Sequence, residues 1–385
     1  MKRKLRILVS GMVAGDPWQG GATWAVLQYV LGLKRLGHDV LLVEPIAREQ
    51  VKPAGVALDA SENVAYFTSL LQDFGLGSDA ALLVSGTHET VGLSYDQVRK
   101  RARASDLLIN ISGMLAEPEL TSSIRIRVYL DLDPAFNQLW HSVSGLNMRF
   151  EGHTDFVTVG LNLGEPTCTI PTCGRKWLKT LQPVVLELWP VAGPVKSDAL
   201  TTVGNWRGYG AIELNGRHYG QKAHSLRQFV RLPTLTEERF LLALSIHPAE
   251  HKDVAALEEN RWGVVDPAQV ARTPKSYQEF IQGSKAEFGV AKSGYVVSNC
   301  GWFSDRSVCY LASGRPVIAQ ETGFSAHLPT GAGLFAFQDE QSVLQAIDSL
   351  RTSYEKHRRK AREIAEEYFD SRKVLGRLLE AIKVQ

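Results

Sequence analysis

The stretch Leu5 to Val43, LRILVSGMVAGDPWQGGATWAVLQYVLGLKRLGHDVLLV, decides the fold. Leu5 to Val9 is an apolar run of strand length, and Ser10 to Gly21 is a loop carrying Gly11, Gly15, Gly20 and Gly21. Ala22 to Leu36 then spaces its apolar residues as an amphipathic helix, Gly37 stops it, and Val40 to Val43 resumes as a strand. This is a β-α-β unit, whose two strands lie parallel in one sheet. The loop glycines let the backbone approach a ligand closely.

Working outward, strand-length runs recur at Ala81 to Val84, Leu107 to Ile111, Ile126 to Leu130 and Phe156 to Val159, with helical stretches such as Ala65 to Phe74 and Tyr95 to Ala104 between them. Such alternation predicts an open, mostly parallel sheet covered by helices. After strand-like Val184 to Leu188, the segment Trp189 to Lys196 (WPVAGPVK) has the prolines and glycine of a linker. The rhythm then restarts, with strands expected at Thr201 to Val203, Leu241 to Ser245, Gly263 to Val265, Phe288 to Ala291 and Pro316 to Ala319. Helices are expected at Ser304 to Ala312 and Glu340 to Leu350, and again from Tyr354 to Ile382 with a break at Phe369-Asp370-Ser371. The expected fold is α/β, with two Rossmann-like domains facing a cleft. The expected divisions are an N-terminal domain at 1–188, a linker at 189–197, a C-terminal domain at 198–352, and closing helices at 353–385 that cross back.

A chain of 385 residues, 44% hydrophobic and 22% charged, has material for two such cores. Its net charge of +2 lacks the basic footprint of a protein that holds nucleic acid by its phosphates. The apolar run Ile7 to Val9 is far too short for a signal-peptide core, and no stretch has the length of a membrane span. Cys168, Cys173, Cys300 and Cys309 fit neither zinc-site spacing nor a disulfide framework, so reduced thiols and a cytoplasmic location are expected.

Ligands of open α/β sheets bind beyond the carboxyl ends of the strands. One such loop ends Gly301-Trp302-Phe303-Ser304-Asp305-Arg306-Ser307 as a helix begins, where free N–H groups, the helix dipole and Arg306 suit a phosphate. Cys300-Gly301-Trp302-Phe303-Ser304, then Ala312-Ser313-Gly314-Arg315-Pro316-Val317 and Glu321-Thr322-Gly323-Phe324, resemble the donor-binding segment of GT-B glycosyltransferases. The opening element, ending Leu36-Gly37-His38-Asp39-Val40, is similar to theirs. The departures are specific. Where retaining members carry E-x7-E, alignment on Gly314-Arg315-Pro316 puts Gly301 and Cys309. Where plant-type inverting members read H-C-G-W-N-S, this chain reads Asn299-Cys300-Gly301-Trp302-Phe303-Ser304, with two extra residues before Gly-x-Pro.

The resemblance implies transfer of a sugar, of hexosyl type, from a UDP- or related nucleotide sugar to an unidentified acceptor, with no metal or further cofactor. It implies a diphosphate held by Gly301, Trp302, Ser304, Arg306, Arg207 and Lys222, with Glu321, Thr322 and Gly323 facing the donor sugar. Cations there oppose the charge that grows on the leaving diphosphate. Asp16 is the candidate base for an acceptor hydroxyl, or else a loop cap. His153 is a second catalytic candidate, His88, Gly15, Gly20 and Gly21 are candidate acceptor or cleft residues, and Trp206 and Tyr277 are either stacking or core residues. Asp131-Leu132-Asp133 matches the D-x-D of metal-dependent GT-A enzymes, but acceptor contact or loop structure is expected of it ahead of metal binding.

Other readings remain. A GT-B-fold epimerase or hydrolase and a non-catalytic nucleotide-sugar binder would use the same diphosphate site. A nicotinamide oxidoreductase would use Glu44 on a ribose, but Gly11 to Asp16 is not G-x-G-x-x-G. A DNA-modifying glycosyltransferase would need a basic groove on the first domain.

Overall fold

The computed structural model describes residues 3–383. The first sheet is built from β1 (Arg6–Ser10), β2 (Asp39–Ile46), β3 (Ala80–Val84), β4 (Thr90–Gly92), β5 (Leu107–Ile111), β6 (Ile126–Asp131), β7 (Asp155–Thr158) and β8 (Trp177–Lys179). Its order is β4-β3-β2-β1-β5-β6-β7-β8, parallel throughout except for β4, which runs antiparallel to β3 at the edge. The helices among these strands are α1 (Gly20–Arg35), α2 (Glu62–Asp73), α3 (Tyr95–Arg103), α4 (Pro118–Thr121) and α5 (Phe136–Ser142). Gly37, at φ +88°, ends α1 where a side chain would be strained, and Ser61 and Ser94 cap α2 and α3 through their hydroxyls.

The second sheet contains β9 (Ser197–Asn205), β12 (Phe240–Ser245), β13 (Gly263–Val265), β14 (Ser284–Gly289), β15 (Val317–Gln320) and β16 (Leu334–Phe337), all parallel in the order β13-β12-β9-β14-β15-β16. A separate hairpin, β10 (Ile212–Leu214) with β11 (Arg217–Tyr219), follows β9. The helices here are α6 (Lys222–Leu226), α7 (His251–Glu259), α8 (Pro267–Val270), α9 (Pro274–Gly283), α10 (Ser293–Ser298), α11 (Asp305–Ala312), α12 (Glu340–Ile364) and α13 (Ser371–Ala381). Among the described residues no helix is long and apolar enough to cross a membrane.

The two sheets share packing. One continuous apolar cluster runs from β1 and α1 through Tyr277 and Ile281 of α9 and Val308 to Ala312 of α11, to Leu375 and Leu378 of α13. The chain's end crosses back as expected: a Cβ on Gly32 of α1 would lie 2.6 Å from Leu375 Cδ1. The segment 189–197 is packed, not free. Trp189 is fully buried, with its ring edge-on to Trp24 at 5.1 Å. Arg362, Arg358 and Arg315 donate to the carbonyls of Trp189, Ala192 and Gly193 at 2.8, 2.7 and 2.8 Å.

Three expectations need correction. Val184 to Leu188 is no strand: Pro183 removes a donor, and Val184 makes one bridge, to Asp370, its N–H donating to Phe369. The strand expected at Phe288 to Ala291 starts at Ser284 and ends at Gly289, because its polar residues are satisfied inside. Ser284 bonds Thr201, Lys285 pairs with Glu238, and Glu287 pairs with Arg306. The helix expected to stop at Leu350 continues to Ile364 across a break at Ser353 (φ −146°, ψ 40°). The short strands β4, β8 and β16 and the β10–β11 hairpin were not anticipated.

Candidate functional site

At the carboxyl end of β9 the backbone reaches Gly204, and two cations lie over it. A Cβ built there would sit 3.4 Å from Lys222 Cε, 3.8 Å from Lys222 Nζ and 3.9 Å from Arg306 Nη1. Arg306, in the first turn of α11, pairs through Nε with Glu287 of β14 at 2.5 Å and donates from Nη1 to the Val203 carbonyl at 2.9 Å. Ser304 caps that helix by accepting from the Arg306 N–H. Lys222 opens α6 and is only 7% exposed, yet its Nζ donates to the Val290 carbonyl at 2.6 Å and meets no carboxylate among the described residues. Burial, with Arg306 beside it, pushes the Lys222 ammonium well below its ordinary value, and Glu287 offsets this only in part.

Facing these cations is the start of α1. Gln19 gives it no side-chain cap and its first turn has no acidic residue. Gly20 N–H donates to Ala271 at 3.1 Å, while those of Gly21 and Ala22 have no acceptor among the described contacts. Only glycine fits here, since a Cβ on Gly20 would stand 2.3 Å from the Thr273 carbonyl oxygen and one on Gly21 2.8 Å from the Tyr277 ring. Gly20, Gly21, Ala22, Gly204, Asn205, Ser245, Asp305 and Arg306 line a cavity of about 340 Å³ between the sheets. Burial pushes the Asp305 carboxyl up. A helix start with free N–H groups that shares a cavity with Arg306, with Lys222 beside Gly204 in its wall, is suited to an anion.

A second bridge crosses between the sheets. Asp133, after β6, pairs with Lys292, after β14, at 3.0 Å, and accepts from the hydroxyls of Tyr209 (2.6 Å) and Tyr295. Lys292 lies over the rings of Tyr209, Phe136 and Tyr295 at 4.4, 5.0 and 5.1 Å. Asp131 does a different job. It is fully buried and accepts from Asn137 Nδ2, Gln138 Nε2 and Thr158 Oγ1 at 2.7–2.8 Å, tying α5 to β6 and β7. Desolvation lifts its carboxyl to about 6. With one carboxylate fastened inside and the other ion-paired, the D-x-D pair does not present two free carboxylates to a cation.

Other predicted residues lie outside the cation cluster. Arg207, one third exposed, is turned to Glu250 and His224. Glu321 Oε1 accepts from the N–H groups of Thr322 and Gly323 and so caps its own turn. Thr322 Oγ1 donates to the Trp302 carbonyl, and Trp302 stacks on Tyr295 at 4.3 Å. Gly301 and Gly323 abut Asn162, which follows β7 and donates to the carbonyl of Asn299 at 3.0 Å, so this stretch is a seam between the halves. Asp16 is half exposed and paired with Lys52 at 2.6 Å. Gly15 N–H donates to Glu44, as does that of Ala14, and this fully buried carboxylate thereby shapes the glycine loop instead of awaiting a ribose. Trp206 and Tyr277 are core, 1% and 2% exposed.

The histidines are also placed. His88 stacks on Tyr95 at 3.9 Å beside the edge strand β4, in a corner away from Lys222 and Arg306. His153 lies against Asn110. Asn110 Oδ1 accepts from Leu115 N–H at 3.0 Å, so its Nδ2 is the donor to His153 Nε2 at 3.0 Å, and the ring is neutral with its proton on Nδ1. Burial lowers its pKa in the same sense. Sequence reasoning missed Glu287, Lys292, Tyr209 and Asn162. Lys292 alone carried a signal, as a charge directly after a strand.

No protein-family sequence model and no curated protein sequence matches the chain. Solved structures match along its whole length. An alpha-glucosyltransferase in complex with UDP-glucose and DNA containing an abasic site is 13% identical, with TM-score 0.59 over 99% of this chain and 100% of that one. HepE of Anabaena, in complex with UDP and glucose, is 12% identical, with TM-score 0.58 over 98% and 99%. AviGT4, a glycosyltransferase involved in avilamycin A biosynthesis, is 14% identical, with TM-score 0.52 over 98% and 97%. Two Rossmann-like halves are what this chain shares with them: it has the GT-B fold.

Proposed function

We propose that this protein is a glycosyltransferase that moves a sugar from a nucleoside diphosphate to an acceptor, with the diphosphate lying between the start of α1 and Lys222 and Arg306. The observation that carries this reading is Lys222, a buried ammonium with no carboxylate partner, set over Gly204 beside Arg306. An uncompensated buried charge is costly, and a bound diphosphate removes that cost. As the glycosidic bond breaks, the same cations and the α1 N–H groups oppose the charge on the leaving group, in the place of a metal. The neighbours' UDP complexes support a UDP-sugar as donor.

Asp133 is taken up by Lys292, Tyr209 and Tyr295 and ties the first sheet to the second, so Asp16, half exposed at the glycine loop, keeps the role of candidate base for the acceptor hydroxyl. In this reading residues 1–188 present the acceptor and 198–352 the donor. The net charge of +2 supports an acceptor other than nucleic acid, and the four free thiols support a reducing, cytoplasmic setting.

The test is titration with UDP, UDP-sugars and their GDP and dTDP counterparts, with and without EDTA, on the wild type and Lys222→Met. Binding that survives EDTA and is lost in the variant supports the reading. Binding that is unaffected by Lys222→Met sinks it. Product analysis separates transfer from epimerisation, hydrolysis and binding without turnover.

A further inference from the structure

The first sheet carries another cavity, of about 500 Å³, on its face beside β5 and β6. None of its lining residues lines the cavity at Gly204. Its walls are α4, the loop 113–116 after β5 and the segment 147–153 before β7. The volume falls within the range of small-molecule sites, roughly 300–1,000 Å³.

Its charge is unbalanced. Arg127 donates from Nε and Nη1 to the carbonyls of Gly152 and Ile124, and Arg149 donates from Nη1 to those of Gly113 and Met114. Main-chain carbonyls orient a guanidinium without neutralising it. Among the described contacts neither arginine meets a carboxylate, and the Nη2 group of each has no acceptor. Glu151, the carboxylate in the lining, is occupied by Arg175. The polar floor is the Asn110–His153 pair.

The backbone here is also held in an unfavourable state. Arg149 has φ +55°, a left-handed conformation that costs a residue with a Cβ about 1 kcal/mol. Facing it, Gly113 has φ +64°, and a Cβ there would come within 2.9 Å of Tyr129 and 3.1 Å of Arg149 Cβ. Backbone of this kind concentrates at ligand sites, where the surrounding structure holds it in place.

We propose that this cavity binds a small molecule bearing a phosphate-type oxyanion, of the size of a sugar phosphate, with the Nη2 groups of Arg127 and Arg149 holding its oxygens. Planar guanidinium groups already oriented by carbonyls lose little freedom when such a group arrives. The site is separate from the diphosphate cavity and does not depend on the reading given to it.

The test is a thermal-shift and calorimetric titration with glucose 1-phosphate, inorganic phosphate and, as the uncharged control, glucose. The proteins are the wild type, Arg149→Ala, Arg127→Lys and Lys222→Met, each first checked for cooperative melting. The expected result is binding of glucose 1-phosphate to the wild type and to Lys222→Met, weakened at least about tenfold in Arg149→Ala, with glucose inert. Saturating UDP does not displace it. Arg127→Lys, which keeps charge but loses the fork, shows a smaller loss and guards against misfolding of the Arg149 variant. Binding that disappears in Lys222→Met or is displaced by UDP places the ligand at Gly204 and overturns the proposal. So does wild-type affinity in both arginine variants, or no binding to the wild type up to about 10 mM. If inorganic phosphate binds as tightly as glucose 1-phosphate, the site is for the free ion and the sugar-phosphate size is wrong.

Discussion

The loops at the carboxyl ends of the two sheets are built on opposite charges. In the first, Glu44 and Asp131 are buried carboxylates, and each is surrounded by donors of its own chain: Glu44 by the N–H groups of Ala14 and Gly15, Asp131 by Asn137, Gln138 and Thr158. In the second, the buried carboxylate Glu287 is paired with Arg306, and the buried group left without a counter-charge is a cation, Lys222, which meets only a carbonyl. A satisfied charge fixes a loop, whereas an unsatisfied one awaits a partner. The comparison teaches that the first sheet's buried acids are scaffold and the second sheet's buried bases are the receptive side.

Four measurements break or sharpen this contrast. Trp189→Ala, at the seam both sheets share, is expected to cost about 3–5 kcal/mol in a denaturant titration and to separate the single transition into two. A single transition of unchanged midpoint would show the seam to be unimportant.

Glu44 predicts a pH dependence. Burial lifts its carboxyl from 4.5 to about 7, against the backbone N–H groups that pull it down. An acid raised in the folded state contributes fully below its unfolded value and loses that contribution as pH rises towards 7, by about 3 kcal/mol. Asp131, lifted to about 6, adds to the same fall. Glu44→Gln is expected to flatten the decline in stability between pH 4.5 and 7, read from melts across that window; an unaltered slope would contradict the assignment.

Lys222→Met removes an unpaired charge, so the melting temperature should hold or rise while affinity for UDP falls roughly 30- to 150-fold, about 2–3 kcal/mol. A simultaneous loss of stability would mean that Lys222 is scaffold after all. Smallest is Arg207→Ala. Its side chain is paired with Glu250 and partly exposed, a kind of contact worth about 0.2–1 kcal/mol, so UDP affinity should change by less than about fivefold. A larger drop would mean that Arg207 swings into the cleft when nucleotide binds.

Most of the architecture was legible because parallel strands buried on both faces are apolar runs: Leu107–Ile111, buried at every position, matches its expected limits, as does the edge strand Gly263–Val265. The strand at Ser284 was not, since serine, lysine and glutamate in a buried strand make sense only once Thr201, Glu238 and Arg306 stand beside them. The candidate site divides in the same way. Arg306, Gly20 and Gly21 follow from position after a strand or at a helix start, whereas Lys222 came from the family resemblance alone. That Arg207 turns to Glu250, or that Asp133 finds Lys292 159 residues away, is a matter of tertiary pairing that no local pattern encodes.

The segment at Trp189 and the return of α13 onto α1 have one further consequence. The chain passes between the halves twice, at a segment clamped by three arginines and again where it returns to dock α13 on α1. Two passages restrain the halves more than one tether does. Cutting the backbone at the first crossing leaves the second, with the Asp133–Lys292 bridge, to hold the halves together, so the joint is mechanically redundant.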